Sequence, residues 1–250
     1  MLPPEQYSEE LKEWYFSRTG NRLNLDNPKT YNEKIQWFKL YGVTPQIRDL
    51  CDKYRVRSYV ASKIGEEYLV PLIGKWKYPE EIDFSVLPEK FVIKANHGCK
   101  YNYIVTDKSK VDIEDFCHKA NKWLQQDYAF YSGFEMQYHG IDRCLIGEAY
   151  LENQAGELYD YKVWCFNGRA EFIEVIKGRG EKLTIDFYDR EWRLQSFTHG
   201  YPNNDIPCPC PDNLDEMIAK AEVLAADFPH VRVDFYRCND GKLYRLIYLD

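Results

Sequence analysis

The stretch from Phe91 to Val105 carries residue types that could hold a phosphate group. It consists of two apolar runs, Phe91–Ile93 and Tyr103–Val105, around a short polar segment, and such runs are typical of strands. Lys94 ends the first run, so its stem would be held by packing while its ammonium lies at the end of the sheet. The N–H groups of a following loop make an anion-sized concavity. The stretch is predicted to bind phosphates, and a plain β-hairpin with an exposed lysine is the alternative.

Further charged residues lie within the apolar strands predicted later in the chain. Glu148 falls in the run 145–151, and Lys162 points away from its apolar neighbours by strand alternation. Arg232 and Asp234 are two residues apart and therefore share one face of their strand. They are predicted either to form an ion pair or to serve as a phosphate contact and a magnesium ligand, since Mg²⁺ often takes only one or two carboxylates besides substrate phosphates.

Composition limits the class of protein. The 250 residues suit one large domain or two small ones, and 44% of them are hydrophobic. The net charge of −7 argues against broad binding of nucleic acid or anionic membranes. The N-terminal stretch is polar, and no run is long enough to span a bilayer, so we expect a cytoplasmic protein without membrane insertion.

Several well-known site motifs are missing from the sequence. The eight cysteines are expected to be free thiols, because Cys208 and Cys210 have no second ligand pair for a zinc site. There is no P-loop, no dinucleotide fingerprint and no serine nucleophile elbow. The D-x-D pair that many metal-dependent glycosyltransferases use is also absent.

Periodicity and capping residues predict an alternation of helices and strands. One long helix is expected from Pro45 to Ile64, with a charged face that includes Asp52 and Lys53 and is read as solvated. Thr30, Asp112 and Asn213 are expected to cap three further helices, and Glu9–Phe16 is expected to form a short one. The predicted strands are 68–73, 145–151, 159–166, 170–176, 183–188, 231–237 and 243–249.

In order along the chain, these residues resemble the nucleotide site of an ATP-grasp enzyme, and in detail the sequence is similar to the TupA-like branch. That branch is associated with bacterial teichuronopeptide and surface-polysaccharide biosynthesis. Several sequence blocks carry the resemblance: 27–35, 52–57, 91–98, 148–151, 160–162, 166–168, 200–203 and 231–234.

The resemblance implies an α+β ATP-grasp-like fold, in which two lobes with antiparallel sheets and flanking helices grip ATP. It implies a helical region with a pre-grasp segment at 1–88, a phosphate-loop lobe at 89–145 and a second lobe at 146–250, incomplete at its C-terminus. The cofactors would be ATP and Mg²⁺. The other expected partner is a small-molecule or polysaccharide-precursor substrate, with no nucleic acid, and the oligomeric state is left open.

The resemblance also assigns roles to single residues. Lys94 would contact the α- and β-phosphates, and its replacement by alanine is expected to abolish ATP binding but leave the fold intact, because the lysine would lie at the edge of the sheet. Glu148 would face the adenine, Lys162 would reach the terminal phosphate with Arg232 as a further catalytic group, and Asp234 would hold magnesium. The flexible phosphate loop would comprise the remaining nucleotide-binding residues, Asn96, His97, Gly98, Lys100 and Asn102.

Two departures from the family pattern affect the expected activity. The phosphate loop continues with Cys99-Lys100-Tyr101 instead of small residues, which makes it stiffer and bulkier. On the last strand, Ile247 stands where the family has a metal-binding glutamate, and the only acidic residue nearby is Asp250. We therefore expect a truncated or altered C-terminus, or a catalytically degenerate enzyme.

Three functions remain open at this point. The first is an ATP-dependent ligase that activates a carboxylate as an acyl phosphate and passes the acyl group to an amine or similar nucleophile. The second is a glycosyltransferase acting on the same polymer, against which the missing D-x-D motif counts. The third is a catalytically degenerate, nucleotide-binding protein, which the changed last strand favours.

The first testable prediction concerns Ile247. If a second carboxylate is missing, the chain should bind ATP but turn it over very slowly, because removing one charge-assisted interaction with a transition state costs on the order of 10²–10³ in rate. Ile247→Glu should raise metal-dependent ADP release, measured with a coupled assay. Turnover of about 1 s⁻¹ or faster in the native chain would contradict this expectation.

Overall fold

The computed structural model describes residues 2–131, 133–151, 160–178, 183–238 and 242–248, with side chains as far as residue 244. The chain divides into two compact units, Met1–Tyr54 with Ile73–Glu148, and Arg55–Leu72 with Ala149–Asp250. Each unit combines a β-sheet with helices, which confirms the predicted α+β class. The division of the chain into segments 1–88, 89–145 and 146–250 stays a prediction.

The described residues form six α-helices and nine strands. The helices are α1 (Tyr7–Thr19), α2 (Tyr31–Tyr41), α3 (Pro45–Cys51), α4 (Val56–Ile64), α5 (Ile113–Gln125) and α6 (Leu214–Ala225). The strands are β1 (Leu72–Trp76), β2 (Phe91–Ala95), β3 (Asn102–Val105), β4 (Leu145–Ala149), β5 (Asp160–Phe166), β6 (Arg169–Lys177), β7 (Thr184–Tyr188), β8 (His230–Arg237) and β9 (Leu243–Tyr248). Among these helices, none is both long and apolar enough to cross a membrane.

The first unit is built on a four-stranded sheet with the strand order β1-β4-β2-β3. Phe91, Ile93 and Ala95 alternate along β2 and are fully buried, and they pack with Phe116 and Ala120 of α5 in one apolar core. The helix α5 presents this stripe because its apolar residues follow the helical repeat. The opposite face of β2 is thereby left for Lys94.

The second unit is built on a five-stranded antiparallel sheet with the order β7-β6-β5-β8-β9. One face of this sheet carries apolar side chains that pack on α6. These buried side chains include Tyr161, Val163, Val233 and Phe235. Residues one position along each strand point to the other face. That face receives the charged residues of β5, β6 and β8.

Two predicted helix starts are confirmed. Thr30 caps α2: its side chain accepts a hydrogen bond from the N–H of Glu33, whose carboxylate in turn accepts from the N–H of Thr30. Asp112 caps α5 by accepting from the N–H of Asp115. Asn213 does not act as a cap, although α6 begins after it, because its side-chain oxygen accepts a bond from Arg237 instead.

The prediction of one helix from Pro45 to Ile64 is wrong, because the chain forms α3 and α4 with a break between them. The Asp52 carboxylate accepts a hydrogen bond from the N–H of Tyr54, at 2.8 Å. The N–H of Lys53 donates to the carbonyl of Asn96, at 2.9 Å, instead of to a carbonyl one turn back. A long-range bond thus replaces a helical one, and local periodicity cannot show this.

The strand predicted at 68–73 is also displaced. A 3₁₀ turn occupies Glu66–Tyr68, and the strand β1 begins only at Leu72. Pro71 precedes it and has no N–H to donate to a sheet ladder. The strand-like apolar residue Val70 is buried instead, and its carbonyl accepts a bond from the Arg57 guanidinium.

The strongest short-range signal, Asn167–Gly168 between two apolar runs, is confirmed as the turn between β5 and β6. Both residues have positive φ, 50° and 76°, as the mirror-image turns of tight hairpins require. A Cβ at Gly168 would lie 3.3 Å from the Cα of Ala226. The position therefore needs glycine for two reasons, its backbone conformation and the space around it.

A glycine substitution separates these two reasons. Gly168→Ala is expected to lower the free energy of unfolding by more than the roughly 1–2 kcal/mol that a left-handed conformation costs an L-residue, measured by urea denaturation. The control is Gly200→Ala, in the same unit, where φ is 71° and nothing lies within 4 Å of the new Cβ. Equal losses in both variants would show that the contact with Ala226 is irrelevant.

Candidate functional site

The first group of candidate residues lies on the sheet of the first unit, where Lys94 and Glu148 form an ion pair. The two residues lie on the neighbouring strands β2 and β4, and Lys94 Nζ is 2.7 Å from Glu148 Oε2. Their side chains are only 16% and 6% exposed. Such a pair fixes the position of the lysine ammonium, although desolvation offsets much of the attraction.

This pairing changes the expectation for Lys94→Ala. The lysine is not at an edge of the sheet, because β2 lies between β4 and β3. Removal of its ammonium would take away a charge that neutralises the buried Glu148 carboxylate, and a loss of this kind is destabilising. The alanine variant should therefore not leave the fold intact. The adenine-facing role of Glu148 stays a prediction.

Asn96 and His97 are both fully enclosed at the start of the loop that follows β2. Asn96 is 0% exposed, and its amide bridges to the segment before β4: Nδ2 donates to the carbonyl of Asp142, and Oδ1 accepts from the N–H of Cys144. The side chain thus satisfies backbone groups that would otherwise be buried without bonds. In this structure Asn96 anchors the loop from within.

His97 anchors the same loop to the end of α5. Its Nε2 lies 3.1 Å from the carbonyl oxygen of Trp123 and 3.2 Å from that of Gln126, so Nε2 carries the proton and donates. Burial, reinforced by Arg143, lowers the pKa of His97 to about 4. The ring is therefore neutral at physiological pH, and its buried Nδ1 has no hydrogen-bond partner among the described residues.

Gly98 allows the loop to turn against an aromatic ring. Its φ is 78°, and a Cβ there would lie 2.4 Å from the ring of Tyr128. Lys100 also adopts a positive φ, 65°, without being glycine, and its side chain is exposed, as is that of Asn102. The predicted loop residues therefore divide: Asn96 and His97 point into the protein, and Lys100 and Asn102 point outward.

Lys53 is a loop contact that the sequence analysis placed on a solvated helix face. Its ammonium donates to the carbonyl of Gly98, and its own N–H donates to the carbonyl of Asn96. Burial lowers the pKa of Lys53, and the nearby Lys94 lowers it further. Local sequence patterns could not show this contact, because Lys53 and Gly98 are 45 residues apart. The available signal was that block 52–57 is one of the blocks that resemble the family.

The second group of candidate residues lies on the charged face of the sheet in the second unit. Lys162 of β5 is directly opposite Asp234 of β8 in the strand register, and the atoms Nζ and Oδ2 are 3.2 Å apart. Arg232 Nε lies 2.8 Å from Asp234 Oδ1, and Nη2 lies 3.0 Å from Oδ2. The predicted shared face of Arg232 and Asp234 is thus present as an ion pair.

The charge of this group depends on mutual pairing. Burial would lower the pKa of Arg232, but Asp234 and its hydrogen bonds outweigh burial and raise it. The guanidinium of Arg232 therefore remains a cation in a mostly enclosed place. Side-chain cations of this kind, held in advance on a rigid sheet, are suited to stabilise charge on phosphoryl oxygens.

Glu174 and its neighbours belong to the same face and were missed by the sequence analysis. Glu174 of β6 lies opposite Lys162 in the register and is 2% exposed. It accepts a bond from Trp164 Nε1 at 2.8 Å and lies 3.6 Å from His199 Nδ1. Burial would raise its pKa, but the His199 bond and the charges of Lys162 and Arg232 lower it instead. A charged residue within an apolar strand was the available signal.

The described residues do not fit a magnesium ion as they are arranged. Both carboxylate oxygens of Asp234 accept bonds from cations, which occupy the positions that a metal would need. Within the described ranges no three His, Cys, Asp or Glu side chains are grouped to hold a metal. Asp250 and the side chain of Ile247 lie outside the described residues. The assignment of magnesium to Asp234 stays a prediction.

Two α+β units, each with buried lysine–carboxylate pairs on its sheet, agree with the ATP-grasp class. A sequence profile described as "TupA-like ATPgrasp" matches residues 33–245. The chain therefore belongs to the TupA-like ATP-grasp family, as the sequence analysis indicated. A search of curated proteins finds no match.

The chain is also similar to several solved structures, but only at low sequence identity. L-amino acid ligase from Bacillus licheniformis is 13% identical with a TM-score of 0.49, covering 97% of this chain and 54% of that one. D-alanine–D-alanine ligase from Bacillus anthracis complexed with ATP is 17% identical with a TM-score of 0.48, covering 79% and 53%. N5-carboxyaminoimidazole synthetase from Staphylococcus aureus is 14% identical with a TM-score of 0.46, covering 79% of this chain and 43% of that one. The chain spans about half the length of these proteins.

The buried His97 generates a pH prediction. Its folded pKa of about 4 lies below the usual 6.5, so between these values the unfolded chain takes up a proton that the folded chain refuses. Stability is therefore lost as the pH falls from 6.5 towards 4, by roughly 3 kcal/mol from this group. The measurement is urea unfolding of wild type and His97→Gln across this range.

The glutamine variant should show a flatter decline in stability with falling pH than the wild type does. His118→Gln serves as the matched control, because His118 is an exposed histidine on α5 of the same unit. Parallel pH profiles for wild type and His97→Gln would contradict the neutral, enclosed state of His97.

Proposed function

We propose that the chain is an ATP-dependent ligase-like protein of bacterial cell-surface polysaccharide biosynthesis. It would act in the cytoplasm on a carboxylate and an amine or similar nucleophile. The strongest support is the family match over residues 33–245. In addition, Lys94 and Lys162, which the resemblance assigns to the phosphates, lie on sheet strands and are paired with carboxylates.

The proposed reaction has two steps. A carboxylate oxygen of the substrate attacks the terminal phosphorus of ATP, the bond to the bridging oxygen breaks, and ADP leaves. The amine then attacks the acyl carbon of the acyl phosphate, inorganic phosphate leaves, and the proton of the amine is released.

The residues of this chain would bind and orient the phosphates. Lys94 uses one of its three ammonium hydrogens for Glu148, and we propose that the others contact the α- and β-phosphates. Glu148 would then orient Lys94. Lys162 and Arg232 would contact the terminal phosphate after exchanging part of their bonding to Asp234 for phosphoryl oxygens. The loop after β2, held by Asn96, His97 and Lys53, would offer N–H groups to the phosphates that Lys94 contacts.

A non-catalytic nucleotide-binding protein is the second candidate, and a specific observation favours it. Both carboxylate oxygens of Asp234 accept bonds from Arg232 or Lys162. The resemblance adds that Ile247 stands where a metal-binding glutamate is expected. Such a chain would keep the cations that bind phosphates and lack the metal chemistry that transfers them.

Lys94→Met tests the nucleotide site. Methionine keeps much of the volume but removes the ammonium, so ATP affinity measured by calorimetry should fall at least tenfold, about 1.4 kcal/mol. Because the buried Glu148 would lose a neutralising charge, the double variant Lys94→Met/Glu148→Gln should recover stability but not ATP affinity. Lys34→Met is the control, on an exposed helix position of the same unit. Equal ATP affinity in wild type and Lys94→Met would reject the assignment.

Product analysis separates the functions. ADP release that depends on both a carboxylate and an amine supports the ligase. ATP binding without ADP release supports the non-catalytic candidate. Consumption of a sugar nucleotide without ADP release would replace both with a glycosyltransferase.

A further inference from the structure

A cavity of about 700 Å³ lies in the first unit, beside the loop that follows β2. It is bordered by this loop, by β3, by α5 and by the segment that follows α5. We refer to it as the lysine–tyrosine cavity. Its lining residues are Cys99, Lys100, Tyr101, Asn102, Tyr103, His118, Lys119, Lys122, Trp123, Gln126, Tyr128 and Tyr131.

The aromatic lining of this cavity lies on the side of the sheet away from Lys94. In the register of β2 and β3, Lys94 is opposite Asn102 and Ile93 is opposite Tyr103. Directly opposed residues share a face, and neighbours along a strand point to opposite faces. Tyr103 therefore shares the α5 side with the core residue Ile93, and Lys94 points to the other side with its partner Glu148. The aromatic wall of the cavity thus lies on the other side of the sheet from Lys94, although the cavity shares Lys100 and Asn102 with the predicted phosphate loop.

Aromatic rings form much of the cavity wall. Tyr101 and Trp123 are stacked, with ring centroids 5.8 Å apart and an interplanar angle of 17°. The Tyr101 hydroxyl donates to Gln126 at 2.7 Å, which fixes the ring. Tyr131 is 70% exposed at the rim. Rings that are held in place and partly exposed offer flat apolar surfaces on which another ring can stack.

The charge of the lining is one-sided. Three lysines and a histidine line the cavity, and its lining contains no aspartate or glutamate from the part of the chain that the structure describes. Lys119 is paired with Asp115 outside the lining at 2.6 Å and lies 5.8 Å above the Tyr103 ring. This is a local excess of positive charge in a protein with a net charge of −7. An anion in the cavity would be attracted by these lysines.

We propose that the lysine–tyrosine cavity binds a ring-bearing anion, in which a carboxylate or phosphate is attached to a sugar-like ring. The lysines would contact the anionic group, and the aromatic rings would stack on the ring of the ligand. The volume suits one or two sugar rings or a nucleoside monophosphate. The proposal goes beyond the nucleotide site and holds whether or not the chain turns ATP over.

The test measures binding of three probes by calorimetry: digalacturonic acid, adenosine monophosphate and inorganic phosphate. At least one of the two ring-bearing probes should bind saturably, and more tightly than phosphate. Two substitutions at exposed positions of the lining, Lys122→Glu and Tyr131→Ala, should each raise the dissociation constant of that ring-bearing probe about tenfold. Digalacturonic acid as the tighter probe identifies a sugar acid, and adenosine monophosphate identifies a nucleotide.

Matched controls remove general effects of charge and aromatic loss. Lys34→Glu makes the same charge change on α2, and Tyr41→Ala removes another exposed tyrosine of the first unit. Both should leave the dissociation constant unchanged. The proposal is overturned if neither ring-bearing probe binds up to roughly 10 mM, or if phosphate binds equally well. It is also overturned if binding responds to Lys94→Met but not to the two cavity variants.

Discussion

A cation enclosed by protein must keep a carboxylate or carbonyl oxygen within hydrogen-bond reach, and the candidate site depends on this requirement. Lys94 meets it with Glu148, and Lys162 meets it with Asp234. In both cases the partners lie on neighbouring strands, so the sheet register sets the distance between charges. The same pairing that holds these side chains in place also limits what they can bind. A phosphate can gain their bonds only by sharing them with a carboxylate that is already present.

Much of the second unit could be predicted from sequence, because strand alternation and tight-turn chemistry are local rules. Lys162 was predicted to point away from Tyr161 and Val163, and the structure buries both apolar neighbours and places Lys162 on the charged face. The Asn-Gly turn followed from the positive φ that a two-residue hairpin requires. The resemblance to the family rested on the order of several sequence blocks, which no single strand pattern contains. The profile match over most of the chain confirms the family.

Other features depend on partners far away in sequence, and local rules could not supply them. The break between α3 and α4 follows from the bond between Lys53 and Asn96, and the charged face predicted there is partly buried. Asn96 and His97 have the composition of an exposed polar loop, but their side chains bind backbone groups of later segments. Glu174 stood out in sequence as a charged residue within an apolar strand, but only the register shows that it lies beside Lys162.

The division into units has a consequence for synthesis on the ribosome. The chain passes between the units at residues 54–55, 72–73 and 148–149, so the segment Arg55–Leu72 is made early but belongs to the later unit. Its helix α4 packs with α6, whose residues emerge about 150 positions afterwards. Domains generally fold as they are completed, at roughly 5–20 residues per second. The first unit can therefore fold once residue 148 has emerged. The apolar residues Val56, Val60 and Ile64 stay without their packing partners on α6 for several seconds longer.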